Sequence, residues 1–160
     1  MPGWHDGAVR ISPTDPATPD VVELLTEHLA DMHATSPACS VHALDVERLR
    51  APHVTFVAAR DDAGVLLGVG ALAGLGEGHA ELKSMRTARP ARGRGVAAGV
   101  VRALLEVARA NGVTRVSLET GTGDYFSAAH RLYEREGFAE CGPFGTYTLD
   151  PFSRYYTREV

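Results

Sequence analysis

Arg92-Gly93-Arg94-Gly95-Val96-Ala97 lies between a strand-like run, Ala80 to Thr87 (AELKSMRT), and a long helical run, Val96 to Asn111. A glycine-rich turn that opens a helix leaves backbone N–H groups pointing outward, with the positive end of the helix dipole behind them. Such a turn suits a phosphate or pyrophosphate. Gly93 and Gly95 allow the backbone to come close to an anion. Arg92 and Arg94 add positive charge at the same place. The segment reads as the grip on a phosphate-bearing cofactor; a solvated arginine turn is the alternative. A P-loop needs G-x-x-x-x-G-K-[ST], which the chain lacks. A dinucleotide fingerprint needs G-x-G-x-x-G early in a βαβ unit, whereas Gly93-x-Gly95 lies past mid-chain and is followed by Ala98 and Gly99.

Outward from this loop, the pattern is hairpin, strand, loop, helix, strand, short helix. His53 to Arg60 and Val65 to Gly74 flank Asp61-Asp62-Ala63-Gly64, a hairpin signature. The helix from Val96 carries Val100, Leu104, Val107 and Ala108 inward, and Gly112 suits its C-terminus. Val113 to Thr120 reads as a strand, Phe126 to Glu136 as a short helix stopped by Gly137, and Phe138 onward with Tyr155 to Glu159 as two final strands. Upstream, residues 7 to 12 read as a strand. Thr18-Pro19-Asp20 starts a helix with Val21, Leu24, Leu25, His28, Leu29 and Met32 on one face, ending at Ser36-Pro37. Residues 36 to 52 read as a loop with a short helix after Asp45. Strands alternating with helices predict a mixed α/β sheet.

Composition narrows the class. A chain of 160 residues suits a single domain over 1–160, and 44% hydrophobic with 22% charged residues is ordinary for a globular protein. A net charge of −4 argues against nucleic acid or an anionic membrane as partner. Arg86, Arg89, Arg92 and Arg94 then read as a local positive patch suited to a small anion. Two cysteines, Cys39 and Cys141, are too few for a disulfide framework, and no metal-ligand spacing is present, so no metal is expected. The first residues lack the apolar core of a signal peptide, and no run reaches membrane length; a cytoplasmic location is the expectation.

Glu81-Leu82 and Met85-Arg86-Thr87, then Arg92-x-x-Gly95-x-Ala97, Val116-Ser117-Leu118-Glu119 and Ala129-x-x-Leu132-Tyr133-Glu134-x-x-Gly137-Phe138 occur in an order that resembles the GNAT superfamily of N-acetyltransferases. ELKSMRT, SLETG and the DP-x-S near the C-terminus are similar to a bacterial small-molecule subgroup. The resemblance is close from residue 54 to 160 and loose before. It implies a mostly antiparallel sheet of six or seven strands with about four helices, splayed where coenzyme A enters. It also implies acetyl-CoA as co-substrate and a small-molecule amine as acceptor, in a monomer or homodimer. Met85, Arg86 and Thr87 would face the pantetheine arm, with Arg92, Gly93, Arg94, Gly95, Val96 and Ala97 around the pyrophosphate. Phe126, Ala129 and Tyr133 would lie along the arm. The family often has asparagine at the position of Phe126, so any contact there is apolar.

Acetyl transfer needs a neutral amine, a polarised thioester carbonyl and a proton for the leaving thiolate. In this resemblance Tyr133 is the acid and Glu81, six residues before Thr87, is the base. Each has a plainer reading: Tyr133 as a half-buried core residue, Glu81 as a rim carboxylate or a partner for Lys83. Glu119 is a rival base, and Met32, His33 and Glu119 are expected around the acceptor. Neither cysteine falls in the matched motifs, which favours direct transfer. A non-catalytic acyl-CoA sensing module, a protein-lysine acetyltransferase and a longer acyl donor are the alternatives.

Overall fold

The computed structural model describes residues 9–35 and 46–160. Ser36, Pro37 and Cys39 fall outside them, as does the start of the first expected strand. The described strands are β1 (Arg10–Pro13), β2 (Val54–Arg60), β3 (Leu66–Gly76), β4 (His79–Thr87), β5 (Arg115–Gly121), β6 (Ala139–Cys141) and β7 (Ser153–Glu159). The helices are α1 (Pro19–Thr35), the one-turn α2 (Val46–Leu49), α3 (Val96–Ala110) and α4 (Ser127–Arg135). All seven strands join one sheet in the order β1-β2-β3-β4-β5-β7-β6. Every neighbouring pair is antiparallel except β4–β5, which is parallel. A parallel pair needs a crossover, and α3 supplies it.

Local chemistry sets these elements. Asp61 Oδ1 accepts from the N–H groups of Ala63 and Val65, each at 2.9 Å, and closes the β2–β3 turn. Alternation along β2 sends Val57 and Ala59 to one face and Phe56 and Ala58 to the other. The first face packs under α3, through Val100, Val101, Leu104, Leu105 and Ala108. The second packs under Val21 and Leu24 of α1 and Leu49 of α2. At Gly70 a Cβ would stand 2.6 Å from both Met85 Sδ and Val100 Cγ1, so only glycine lets α3 sit this close to the sheet. Leu29, expected on the buried face of α1, is 39% exposed.

Two irregularities in β4 create the site. Between Val69–Arg86 and Ala71–Lys83 the register shifts, so Ser84 and Met85 stand against Gly70 alone. This bulge holds Ser84 at φ 55°, a left-handed conformation for a non-glycine residue. On the other side, β4 and β5 pair only from His79–Arg115 to Leu82–Leu118. Beyond that pair β4 continues to Thr87 and β5 to Gly121, and the strands part.

Candidate active site

A cleft of about 490 Å³ opens where the strands part. One end reaches the turn before α3. Gly93 and Gly95 have φ of 77° and 80°, and Gly95 is the N-cap residue. No side chain caps this helix and no acid lies in its first turn. The leading N–H groups of α3 therefore have neither an intrahelical acceptor nor a side-chain one. Arg92, Gly93, Gly95, Val96 and Ala97 line the cleft. A Cβ added at Gly93 or Gly95 would meet nothing within 4 Å, so the space above the turn is open. These donors and this space fit a pyrophosphate. Arg94 does not line the cleft and its side chain is exposed; it sits between the two left-handed glycines, and the turn directs it to solvent.

Met85, Thr87, Phe126, Ala129 and Tyr133 line the middle of the cleft. Gly121 makes room for Phe126: a Cβ there would come within 2.2 Å of its ring. Tyr133 is 6% exposed, with its ring edge-on to Phe138 at 5.9 Å and tilted to Tyr156 at 6.3 Å. Its hydroxyl has no hydrogen-bond partner among the described residues. Burial pushes this phenol well above its ordinary pKa, so it stays protonated and remains a donor.

The far end is built from segments distant in sequence. Glu81 is 5% exposed. Its Oε2 accepts from the Lys83 ammonium at 3.1 Å and from the Tyr147 hydroxyl at 2.6 Å. Lys83 also donates to the Tyr147 oxygen at 3.2 Å. Burial, then the Glu81 charge and hydrogen bond, hold Tyr147 protonated far above the ordinary phenol range. Tyr147 arrives on the loop between β6 and β7, which is pinned to the sheet by aromatic contacts. Phe144 meets Tyr147 at 5.2 Å and His79 at 5.7 Å, and Tyr147 meets Tyr155 at 5.7 Å. Across the cleft, Glu119 accepts from Ser153 at 2.9 Å. Met32 and His28 come from α1. Burial first, then the nearby Arg86 charge, push His28 down to about 4, so it is neutral at pH 7. His33 does not line the cleft and is exposed. His28 and Met32 are four residues apart and share a helix face, whereas position 33 lies roughly 100° further round.

Arg86 departs from the expected positive patch. Its side chain is 5% exposed and lines the cleft, yet its two terminal nitrogens are committed, and only Nε has no hydrogen-bond partner among the described residues. Nη2 donates to Glu27 at 2.6 Å and Asp31 at 2.5 Å, both on α1, and Nη1 donates to Tyr125 at 3.2 Å. Arg89 also pairs with Asp31, at 3.2 Å. Of the four arginines, Arg86 thus fastens α1 to β4, because a buried guanidinium needs carboxylates on the facing helix, and the exposed Arg89 adds a link from the turn after β4. Only Arg92 of the four lines the cleft without an ion pair among the described residues. Sequence reasoning did not place His28, Tyr125 or Arg135 on this cleft. The helical spacing of His28 with Met32 was the available signal for the first; nothing local marks the others.

A profile of the acetyltransferase (GNAT) family matches residues 21–138. The chain is 48% identical over 143 residues to an uncharacterised N-acetyltransferase of Escherichia coli, covering 89% of each. It is 44% identical over 140 residues to an uncharacterised N-acetyltransferase of Bacillus subtilis, covering 88% of this chain and 92% of the relative. An IAA acetyltransferase of Azospirillum brasilense is 37% identical over 152 residues, covering 94% and 95%. In fold, the chain is similar to an acyl-CoA N-acyltransferase from Klebsiella pneumoniae, with a TM-score of 0.79, 24% identity and coverage of 96% and 99%. It is also similar to an N-acetyltransferase of Thermoplasma acidophilum crystallised with coenzyme A, with a TM-score of 0.71, 12% identity and coverage of 96% and 99%. Bulge, splay and open helix turn are thus read together with a profile covering most of the sequence, and the chain belongs to the GNAT family of N-acetyltransferases.

Proposed function

We propose that this N-acetyltransferase uses acetyl-CoA and transfers the acetyl group directly to the amine of a small molecule. The supporting observation is the parting of β4 and β5 between an uncapped helix N-terminus at one end and carboxylates at the other, with a buried phenol between them. Bound acetyl-CoA supplies an activated acyl group and a thiolate leaving group. The α3 turn holds the pyrophosphate through N–H groups, and the bulge at Ser84–Met85 frees main-chain groups from the ladder to face the thioester. Glu81 draws a proton from the amine, directly or through water, while Lys83 and Tyr147 fix the carboxylate. Tyr133 donates its hydroxyl proton to the departing sulfur. Cys141, on β6, does not line the cleft, which supports direct attack.

The test is thiol release from acetyl-CoA over a panel of amines, for the wild type and Tyr133→Phe, with CoA binding measured on the same preparations. A hydroxyl that acts in the transition state contributes to kcat and little to binding. General-acid help spans about 10²–10⁴-fold. The expected outcome is a fall near the low end of that range with CoA affinity retained. Equal turnover would make Tyr133 a packing residue. Tight CoA binding without thiol release on any amine would replace the enzyme with a sensing module.

A further inference from the structure

Lys83 and Glu119 occupy equivalent steps on β4 and β5, each one residue past the last bonded pair, Leu82–Leu118. Both line the cleft, so a cation and an anion stand on opposite lips of the opening at which the acetyl group is handed over. The Lys83 side chain is 12% exposed. Its ammonium has three N–H donors and two acceptors among the described residues, Glu81 and Tyr147, which leaves one donor to fill. Both terminal nitrogens of Arg86 are held by the α1 carboxylates and Tyr125, so its fork is less available than the Lys83 ammonium.

From this arrangement we infer that the acceptor is a free α-amino acid with an apolar side chain, its carboxylate bound by Lys83 and its ammonium drawn to Glu119 and Glu81. The inference rests on the acetyltransferase reading above and names its substrate class. A polyamine would bring positive charge against Lys83, and a simple monoamine would leave the third N–H donor unsatisfied. Met32 and the Tyr147 ring provide an apolar wall for the side chain. The chemistry balances. The ammonium loses one proton before attack, and the N–C bond forms as the C–S bond breaks. The thiolate takes one proton, and the new amide nitrogen sheds the second. The N-acetyl product has lost its positive charge, so the attraction to Glu119 disappears once the reaction is complete, which favours release.

The test compares kcat/KM for matched pairs, L-phenylalanine against phenethylamine and L-leucine against isoamylamine, with spermidine as the polycation. A hydrogen bond to a charged group contributes about 1.5–3 kcal/mol, so the amino acid should be preferred by roughly ten- to a hundredfold. Lys83→Met should collapse that ratio towards one, and Lys83→Arg should restore most of it. Equal or better turnover of the monoamines or spermidine overturns this inference and leaves the acetyltransferase standing. So does a Lys83→Met ratio equal to that of the wild type. Acetyl-CoA binding without thiol release on any acceptor in the panel overturns both readings.

Discussion

The two ends of the cleft are built on different principles. At the α3 end the functional groups are main-chain N–H donors, placed by a continuous stretch of six residues and two left-handed glycines. At the other end they are side chains from α1, β4, β5 and the loop between β6 and β7, brought together only by folding. A backbone cradle tolerates side-chain change as long as the turn keeps its shape, and it suits a constant group such as a pyrophosphate. A side-chain cluster can be rebuilt by one substitution, and it suits a partner that differs among relatives. The Arg86 cluster joins the two, since it ties α1, which carries Met32 and His28, to the strand that runs into the phosphate turn.

The contrast breaks most sharply at Gly95. Gly95→Asp places a carboxylate at the proposed phosphate site, at a φ of 80° that disfavours side chains. The CoA dissociation constant is expected to rise by at least about tenfold, or ~1.4 kcal/mol. Calorimetry on the folded variant checks this, and unchanged affinity would remove the phosphate role of the turn.

At the other end the effect falls on turnover rather than on CoA binding. Glu81→Gln keeps the shape and removes the negative charge that holds Lys83 and Tyr147. If Glu81 takes the amine proton, kcat/KM at neutral pH should fall by about a hundredfold, the low end of general-base help, and recover in part at high pH, where free amine is abundant. CoA affinity should stay put, which separates the two ends. A mutant-to-wild-type ratio that is flat with pH moves the role to Glu119 or to solvent.

The smallest effect concerns α1. His28 is depressed to about 4 from an ordinary 6.5, so the folded state disfavours its protonation. Between pH 6.5 and 4 the unfolded chain binds more protons than the folded one, and stability falls as pH falls through that window. Hydrogen bonds from Arg86 lower Glu27 and Asp31 beneath their ordinary 4.5 and 3.8, and their contribution is lost as pH drops through and below those values. Thermal melts should therefore decline in two stages. His28→Gln should flatten the first and leave the second; identical curves for both proteins would remove His28 as the cause.

Much of the architecture was legible because it is encoded locally. Asp61 to Gly64 closes its own turn, Gly112 ends its own helix, and the period-two and helical apolar patterns each mark an element. The β4 bulge was not legible, since it arises where Ser84 and Met85 stand against the single residue Gly70 of a neighbouring strand, and no glycine marks the left-handed position at Ser84. Neither was the role of Arg86: in sequence it belongs to a run of arginines, and its partners lie 55 and 59 residues away. Glu81 carried two readings, base or partner of Lys83, and the fold shows the pairing while placing both residues on the cleft.

The sequence by itself determined the helix-opening turn, the order of elements and hence the family, because glycine conformation and side-chain periodicity act over a few residues. Only the tertiary structure decided which charges remain available in the cleft. Arg86 and Arg89 are tied by α1, Arg94 faces solvent, and Lys83 keeps a donor to offer. The physical reason is that a charge is neutralised by whatever lies within a few ångströms in space, and those neighbours come from parts of the chain that no local pattern connects.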